Sequence, residues 1–420
     1  MAFKKIALLT VCISTISGAH PIEDLLGASA RMRAMGGAGT ALSADDSSVY
    51  YNPANLARCA SHLVSLSADY VQSNFSVDNG TPNVPVDQVG SQGLVSLGGC
   101  FKLPYDISLG FHVTFGLPNP MFVGLRTVDD QFHMMMYGSG LKLPSAMAGI
   151  AYRPIKQLSV GVAFALSGGA TLGMDMNASL ATKQVQSLLS GPATASVAAI
   201  AGVTYEPLDS LFLGITYRSE SYGAMLAPTH IVTEVAGIQS IIDPTMEAYL
   251  GYSPHQIAIG AAYSPLKALT VGVDVTWYYW PNYSGPFLQF TPPPENASAE
   301  SALSKFVRAH NTKFSFRNVF MPRIGVEYTF PRDIHVRAGY GFRPAAVDLP
   351  TGSANLLDAD SHNVSFGAGY RFVKTKNVEL SADVYSMLAI MPNQTVEKAG
   401  SRYTFGGSAW NGGLAVTAGF

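Results

Sequence analysis

The sequence predicts an all-β protein: a transmembrane antiparallel β-barrel of fourteen strands with an N-terminal plug, or hatch, inside its lumen. Three observations support this prediction. The chain is apolar, yet after its first 19 residues it lacks the run of about 18 apolar residues that a membrane helix needs. Apolar and polar residues alternate with period two in many segments. A short turn motif with a central proline recurs along the chain.

The composition favours a membrane barrel over a soluble protein. Charged residues make up 13% of the 420 residues, whereas hydrophobic residues make up 48%. Soluble domains have roughly 25% charged residues. A barrel resolves this contrast because its strands need only every second residue to be apolar. The net charge of −2 gives no basic surface for nucleic acid, so no nucleic-acid partner is predicted.

No pattern in the sequence predicts catalysis, a cofactor or a metal. The chain has no Gly-x-Ser-x-Gly nucleophile motif, its histidines follow no recognisable triad order, and no Cys/His spacing is typical of a metal site. His112 is expected to be a polar residue of the lumen rather than a catalytic base. An outer-membrane hydrolase is therefore disfavoured, and the protein is predicted not to be an enzyme.

The N-terminus has the features of an export signal. Lys4 and Lys5 precede an apolar stretch at residues 6–16, and small residues then lead to a cleavage site after Ala19. The alternative is lipoprotein processing at Cys12. Removal of a 1–19 signal peptide leaves Cys59 and Cys100, which either form a disulfide in an oxidising compartment or remain two buried thiols.

The repeated motif predicts tight turns between neighbouring strands. It runs aromatic, polar, proline, a short polar break, and then alternating apolar residues. Proline cannot donate to a strand ladder and therefore suits a turn, and the aromatic residue suits the membrane surface. Three close copies and three looser ones occur, at residues 151–161, 204–214, 262–272, 101–107, 328–334 and 370–378.

The turn count leads to the strand count. Six short turns, a first strand near 63–71 and a last strand near 406–420 give seven hairpins, hence fourteen strands with both termini on the short-turn side. In bacterial barrels that side faces the periplasm, so the protein is expected in the outer membrane of a bacterium. Long extracellular loops are predicted at 74–91, 118–141, 171–195, 223–252, 281–312, 344–361 and 391–405.

The chain ends on an alternating strand with a terminal Phe420, which is typical of the signal read by the barrel-assembly machinery. A closed barrel has no free edge that requires a partner, so a monomer surrounded by outer-membrane lipid is expected. Fourteen strands leave a lumen that requires a plug or passes solutes. Residues 20–59 are the material available for a hatch, and residues 60–420 form the barrel.

The glycine-rich segment before the first strand resembles the N-terminal hatch of the FadL/TodX family of outer-membrane transporters. The residues that carry this resemblance are Gly36, Gly37, Gly39, Asp45, Asp46, Asn52, Pro53 and Ala54. Further stretches resemble strands of the same family, in the family's order: 210–219, 273–280, 322–328, 336–340, 356–360 and 367–372. The resemblance covers nearly the whole chain after the leader.

The resemblance implies a fourteen-stranded barrel for passive uptake of hydrophobic molecules, either long-chain fatty acids or aromatic hydrocarbons. In the family, the ligand is caught at the outer loops and moves to an apolar pocket. It then leaves sideways into the bilayer through an inward kink of the third strand. The kink carries over to Thr114, Phe115 and Gly116, for which an ordinary strand end is the alternative.

Two further sets of residues are assigned less directly. Fatty-acid transporters of the family hold the carboxylate with basic lumen residues, and Lys313, Arg317 and Arg323 are the candidates here, although residues 168–176 contain no cation. A neutral hydrocarbon is therefore the alternative ligand. Met134, Met135 and Met136 suit an adaptable capture surface in the second loop or, alternatively, packing within that loop. A related barrel that binds protein and serves secretion is the alternative function.

Overall fold

The barrel is closed and antiparallel, as predicted, and it has fourteen strands. The computed structural model describes residues 22–81, 84–117, 132–138, 144–171, 173–179, 184–190, 193–235, 238–242, 245–285, 289–291, 314–349, 355–375, 377–398 and 400–420. The barrel strands are β1 Leu63–Asp78, β2 Ser91–Leu103, β3 Ile107–Leu117, β4 Ser145–Ile155, β5 Leu158–Thr171, β6 Ala193–Leu208, β7 Leu211–Arg218, β8 His255–Leu266, β9 Leu269–Tyr279, β10 Val319–Phe330, β11 Ile334–Arg343, β12 Ser361–Lys374, β13 Glu379–Lys398 and β14 Ser401–Gly419.

Each strand pairs with its neighbour in the chain, and the first and last strands close the barrel. The β1–β14 ladder runs from Leu63 opposite Gly419 to Asp78 opposite Thr404. The six short turns fall where the proline motif predicts them, between β2 and β3, β4 and β5, β6 and β7, β8 and β9, β10 and β11, and β12 and β13. This agreement arises because turn chemistry and strand alternation are local properties of the sequence.

The alternation of side chains separates a lipid face from a lumen face. Phe115 and Ile259, for example, are 45% and 60% exposed on the outer surface, whereas Thr114 and Thr204 are buried inside. Large apolar side chains exposed in this way suit a hydrocarbon solvent. None of the helices among the described residues is long and apolar enough to cross a membrane.

Several predicted loops were wrong in their bounds because they are ordered as strands. The last hairpin continues through the predicted loop 391–405 and turns at Gly400, whose φ of 77° suits glycine. Antiparallel pairing beyond the membrane satisfies backbone groups that a loop would leave to water. Other strands outside the barrel wall are Gly173–Ser179, Gln184–Ser190, Ser221–Val235, Ile238–Ile242, Thr245–Ser253 and Gln289–Thr291.

The segment before β1 folds inside the barrel as short helices. They are α1 Ile22–Leu26, α2 Ala30–Ala34, α3 Ser48–Tyr51 and a 3₁₀ helix at Pro53–Arg58. At the long-loop end a small sheet of Val86–Asp87, Phe132–Met134 and Leu356–Leu357 lies within a layer of apolar side chains. The hatch thus lies in the lumen, and this apolar layer lies at the long-loop end.

Candidate functional site: hatch, lumen and cap

A belt of lumen-facing glycines holds the hatch. A methyl group added at Gly161 would overlap the backbone of Pro53 and Ala54, and one at Gly214 would overlap the backbone of Thr40. Overlaps with the hatch backbone also occur at Gly325 and Gly339, and overlaps with hatch side chains occur at Gly110, Gly202 and Gly367. The wall and the hatch backbone therefore approach more closely than any side chain would allow. The alternating Gly residues of the strands were the signal for this belt, and sequence reasoning missed it.

Asn52, the centre of the predicted hatch motif, ties the hatch to itself and to the wall. Its Nδ2 donates to the Thr40 carbonyl oxygen (2.9 Å) and to Thr204 Oγ1 of β6 (3.0 Å). Its Oδ1 accepts from the Ala54 N–H (3.1 Å) and so caps the 3₁₀ helix that begins at Pro53. Asn52 is fully buried, which makes each of these bonds costly to lose.

The three glycines of the predicted hatch motif serve two different needs. Gly36 and Gly37 adopt left-handed φ angles of 67° and 79° after α2, a conformation that strongly favours glycine. The Gly36 N–H donates to Ser365 Oγ of β12 (3.0 Å). Gly39 instead leaves room for the ring of Tyr51, which occupies the space of a side chain there.

The two adjacent acids of the hatch have different partners. Asp46 Oδ2 lies 2.8 Å from His112 Nδ1 of β3, so His112 is a lumen residue as predicted, bound to the hatch. Asp45 accepts from the Ser47 N–H (2.9 Å). Burial, and then the neighbouring Asp46, raise the pKa of Asp45.

Ion pairs between the hatch helices and the wall were not predicted. Arg31 lies 2.8 Å from Glu327 of β10, and Arg33 lies 2.7 Å from Asp69 of β1. From the wall side, Arg218 of β7 lies 3.0 Å from Asp24 of α1. Charged residues at lumen-facing strand positions were the available signal, but their partners are far away in sequence.

The three candidate cations are not brought together. Lys313 lies outside the described residues. Arg317 is exposed near the extracellular end and lies 3.6 Å from Asp348. Arg323 of β10 faces the lumen and donates to Thr276 Oγ1 (2.8 Å) and to the Tyr278 hydroxyl (3.0 Å).

Arg323 borders a cavity of about 50 Å³ between the hatch and the wall. This volume suffices for a few water molecules. Asp274 and Thr216 also line the cavity, and each has a buried oxygen without a hydrogen-bond partner among the described residues. Among the described residues, Arg323 has no carboxylate oxygen within 4.0 Å, and neither does Arg58 of the 3₁₀ helix, whose guanidinium lies over the ring of Phe212.

We call the apolar layer above the hatch the cap cluster. Its buried residues are Phe75, Val77, Phe132, Met134, Met135, Met136, Tyr137, Tyr252, Tyr278, Trp280, Tyr283, Phe316, Val319, Met321, Ala346, Val347, Leu356, Leu357, Ala359, Ala389, Met391, Val396, Phe405 and Ala409. Met134, Met135 and Met136 are at most 8% exposed, so they pack inside the cap cluster. Tyr252 and Tyr283 stack with ring centroids 4.6 Å apart, and Phe316 lies 4.9 Å from Tyr283.

The residues proposed for the lateral exit lie at the upper end of β3. The β2–β3 ladder is continuous from Ile107 to Leu117, and Phe115 faces lipid between the lumen-facing Thr114 and Gly116. On the other side, the β3–β4 ladder ends at Thr114 opposite Ser145. A lateral exit at this place therefore stays a prediction.

Two features fix the periplasmic end. Cys59, which follows the 3₁₀ helix, forms a disulfide with Cys100 of β2, so the question left open by the sequence is answered. The N–H of Phe420 donates to the His62 carbonyl oxygen (2.9 Å), and the two rings stack across the seam between β1 and β14. The role of Phe420 in assembly stays a prediction.

The chain resembles known transporters in sequence and in fold. It is 24% identical over 358 residues to alkane uptake protein A of Marinobacter nauticus, which covers 79% of this chain and 74% of the relative. Its fold is similar to that of a Pseudomonas aeruginosa FadL homologue (TM-score 0.58, 13% identity, 96% of this chain and 98% of the other).

The P. putida toluene transporter TodX also has this fold (TM-score 0.57, 15% identity, 94% of this chain and 99% of the other). At such low identity these structures show the fold alone. The model of the outer membrane transport proteins OMPP1/FadL/TodX matches residues 8–420, nearly the entire sequence. The chain therefore belongs to the OMPP1/FadL/TodX family of outer-membrane transporters of hydrophobic compounds.

Proposed function

We propose that the protein takes up neutral hydrocarbons passively across the outer membrane. Charge pairing in the lumen is the observation that carries this proposal. Arg31, Arg33 and Arg218 each lie within 3.0 Å of a carboxylate oxygen, so their charges are already satisfied. A neutral ligand can enter such a lumen without breaking these pairs, whereas a buried charge would need a partner of its own. The alkane uptake relative supports the same ligand class.

The proposed route begins at the cap cluster. Met134, Met135 and Met136 are buried in this cluster, and their flexible side chains would repack around ligands of different shape. The ligand then passes the hatch and leaves for the bilayer beside Thr114, Phe115 and Gly116. This route keeps the ligand out of water, which avoids about 0.8 kcal/mol for each hydrated CH₂ group.

A long-chain fatty acid is the second candidate ligand, and Arg323 favours it. The guanidinium faces the cavity, is half-buried, and has only neutral hydrogen-bond partners among the described residues. A carboxylate placed there would form a charge-assisted hydrogen bond. This residue is accordingly the one that distinguishes the two ligands.

The substitution Arg323→Leu tests the ligand class, with uptake of a labelled n-alkane and of a labelled long-chain fatty acid as the measurement. We expect alkane uptake to change less than about twofold, because no charge contacts the alkane. If fatty acid is also a substrate, its uptake should fall at least tenfold. Arg317→Leu, at the exposed loop arginine, is the matched control and should alter neither.

Two outcomes would contradict the proposal. A large loss of alkane uptake in Arg323→Leu would show that the arginine serves more than a carboxylate. Absence of uptake of either ligand by the unaltered chain would remove the transport proposal, and a protein-binding barrel would then be the better explanation.

A further inference from the structure

We propose that Glu23 is a latch that holds the β3–β4 seam closed, so that the hatch controls opening of the barrel wall at this seam. Its Oε1 accepts hydrogen bonds from Thr114 Oγ1 of β3 (2.7 Å) and from Ser145 Oγ of β4 (2.6 Å). These two residues face each other as the last pair of the β3–β4 ladder. One carboxylate oxygen therefore joins both strands at the point where their backbone pairing stops.

The bonds of the latch are shielded from water. Glu23 and Thr114 are each 1% exposed, and Ser145 is 6% exposed. In so dry a place each bond contributes more than it would at the surface, and an unpaired group costs more. Glu23 Oε2 has no hydrogen-bond partner among the described residues, whereas Oε1 accepts from both hydroxyls and lies 4.0 Å from His112 Nε2 of β3.

The hatch from α2 to Cys59 is fixed to the wall. The part of the described hatch that is able to move is therefore α1. The backbone around Pro53 contacts the glycine belt, and Cys59 is covalently bound to β2. The α1 helix has only five residues and is joined to α2 through Gly27 and Ser29, which have left-handed φ angles. These two residues interrupt the helical backbone, so α1 and α2 are separate short segments.

The surroundings of α1 supply both room and a connection to the cap. Residues 23–27 border the cavity of about 50 Å³, and Leu25 packs against the cap cluster. Asp24 binds the opposite wall through Arg218, Ser253 and Gln256. The Tyr50 hydroxyl of α3 also donates to Asp24 Oδ1 (3.0 Å), so a shift of α1 that releases Glu23 from the seam also breaks the bonds of Asp24.

Hydrogen exchange of the folded protein in detergent, without ligand, tests the latch. In Glu23→Ala we expect backbone exchange within 107–117 and 145–155 to quicken at least tenfold. Glu23→Gln keeps an acceptor oxygen and should stay within about twofold of the unaltered protein. The variant Thr114→Val with Ser145→Ala removes the donors instead, and it should match Glu23→Ala.

Asp274→Ala is the matched control, because it removes a buried carboxylate of β9 that binds the hatch at the Thr40 N–H and does not bind α1. It should leave exchange at the β3–β4 seam within about twofold. Equal quickening by Asp274→Ala and Glu23→Ala would overturn the latch in favour of general loosening. Unchanged exchange in the Thr114→Val, Ser145→Ala variant would overturn it as well.

The latch would act in transport only if the lateral exit proposed above exists, but the two ideas fail separately. Exchange is measured without hydrocarbon, so absent uptake counts against the proposed function and leaves the latch standing. Unaltered seam exchange in Glu23→Ala counts against the latch, even where uptake is normal.

Discussion

At the scale of single residues, Asn52 shows how one side chain joins local and long-range structure. The dipeptide Asn52-Pro53 predicted a rigid hatch turn, and the residue does cap the 3₁₀ helix. Its amide also reaches Thr204, 152 residues away. The hydrogen bond that caps the helix is set by the local sequence, whereas the bond to the wall depends on where the barrel places β6.

Replacing Asn52 tests these two roles separately. Asn52→Asp keeps the acceptor for the Ala54 N–H but loses the donors to Thr40 and Thr204. We expect Asn52→Asp to disturb the hatch about as much as Asn52→Ala, since a buried unpaired acceptor costs about 1–3 kcal/mol. Faster hydrogen exchange at residues 38–58, with unchanged barrel mobility on unheated gels, is the measurement. Normal exchange in Asn52→Asp would show that capping alone matters.

The candidate cations show where residue-level reasoning stops. Arg323 was predicted to face a ligand, and the structure places it beside the lumen cavity. Arg317, only six positions earlier, lies at the exposed end beside Asp348. Their different settings follow from the start of β10 at Val319, a boundary that composition alone did not reveal.

At the scale of elements, the disulfide joins the end of the 3₁₀ helix to β2. It closes a loop of 41 residues, for which the chain-entropy model gives about 4 kcal/mol of stabilisation. The disulfide also fixes the end of the hatch at the height of Cys100 along the barrel wall.

The double substitution Cys59→Ser with Cys100→Ser tests this tether. We expect the end of the 3₁₀ helix, residues 53–59, to exchange its amide hydrogens faster while the barrel strands stay protected. A reducing agent should produce the same change in the unaltered protein and none in the double variant. If reduction has no effect on exchange at residues 53–59, the disulfide does not fix the hatch.

Element boundaries were predicted well at the short turns and poorly at the long-loop end. Turns such as 155–158 carry proline and aromatic residues at fixed offsets, so their position is encoded locally. The hairpin of β13 and β14 continues well above the expected strand end. Its length depends on pairing between the two strands, and a weak alternation at residues 391–405 did not reveal it.

At the scale of the whole molecule, the glycine belt and the hatch form one fitted interior. Each glycine removes a side chain from the wall where backbone or side-chain atoms of the hatch lie. Because several neighbouring strands contribute, the fit is a property of the closed barrel. A barrel without this fit would leave a water-filled lumen.

Gly161→Val tests the fit. The added side chain would overlap the backbone of Pro53 and Ala54, so we expect the hatch to be displaced and the lumen to conduct ions. Ala201→Val is the matched control, because Ala201 lies on the neighbouring strand and faces lipid. Conductance across planar bilayers is the measurement. If the folded Gly161→Val barrel conducts no ions, the glycine belt is not what holds the hatch in place.

The sequence by itself determined the membrane class, the number of strands, the short turns and the hatch as filler of the lumen. The strands and turns follow from alternation and turn residues, which act over a few neighbouring residues. The membrane class follows from the composition of the chain. Only the tertiary structure decided which hatch residue meets which strand. Asp24 and Arg218, for example, are 194 residues apart, and only closure of the barrel brings them together.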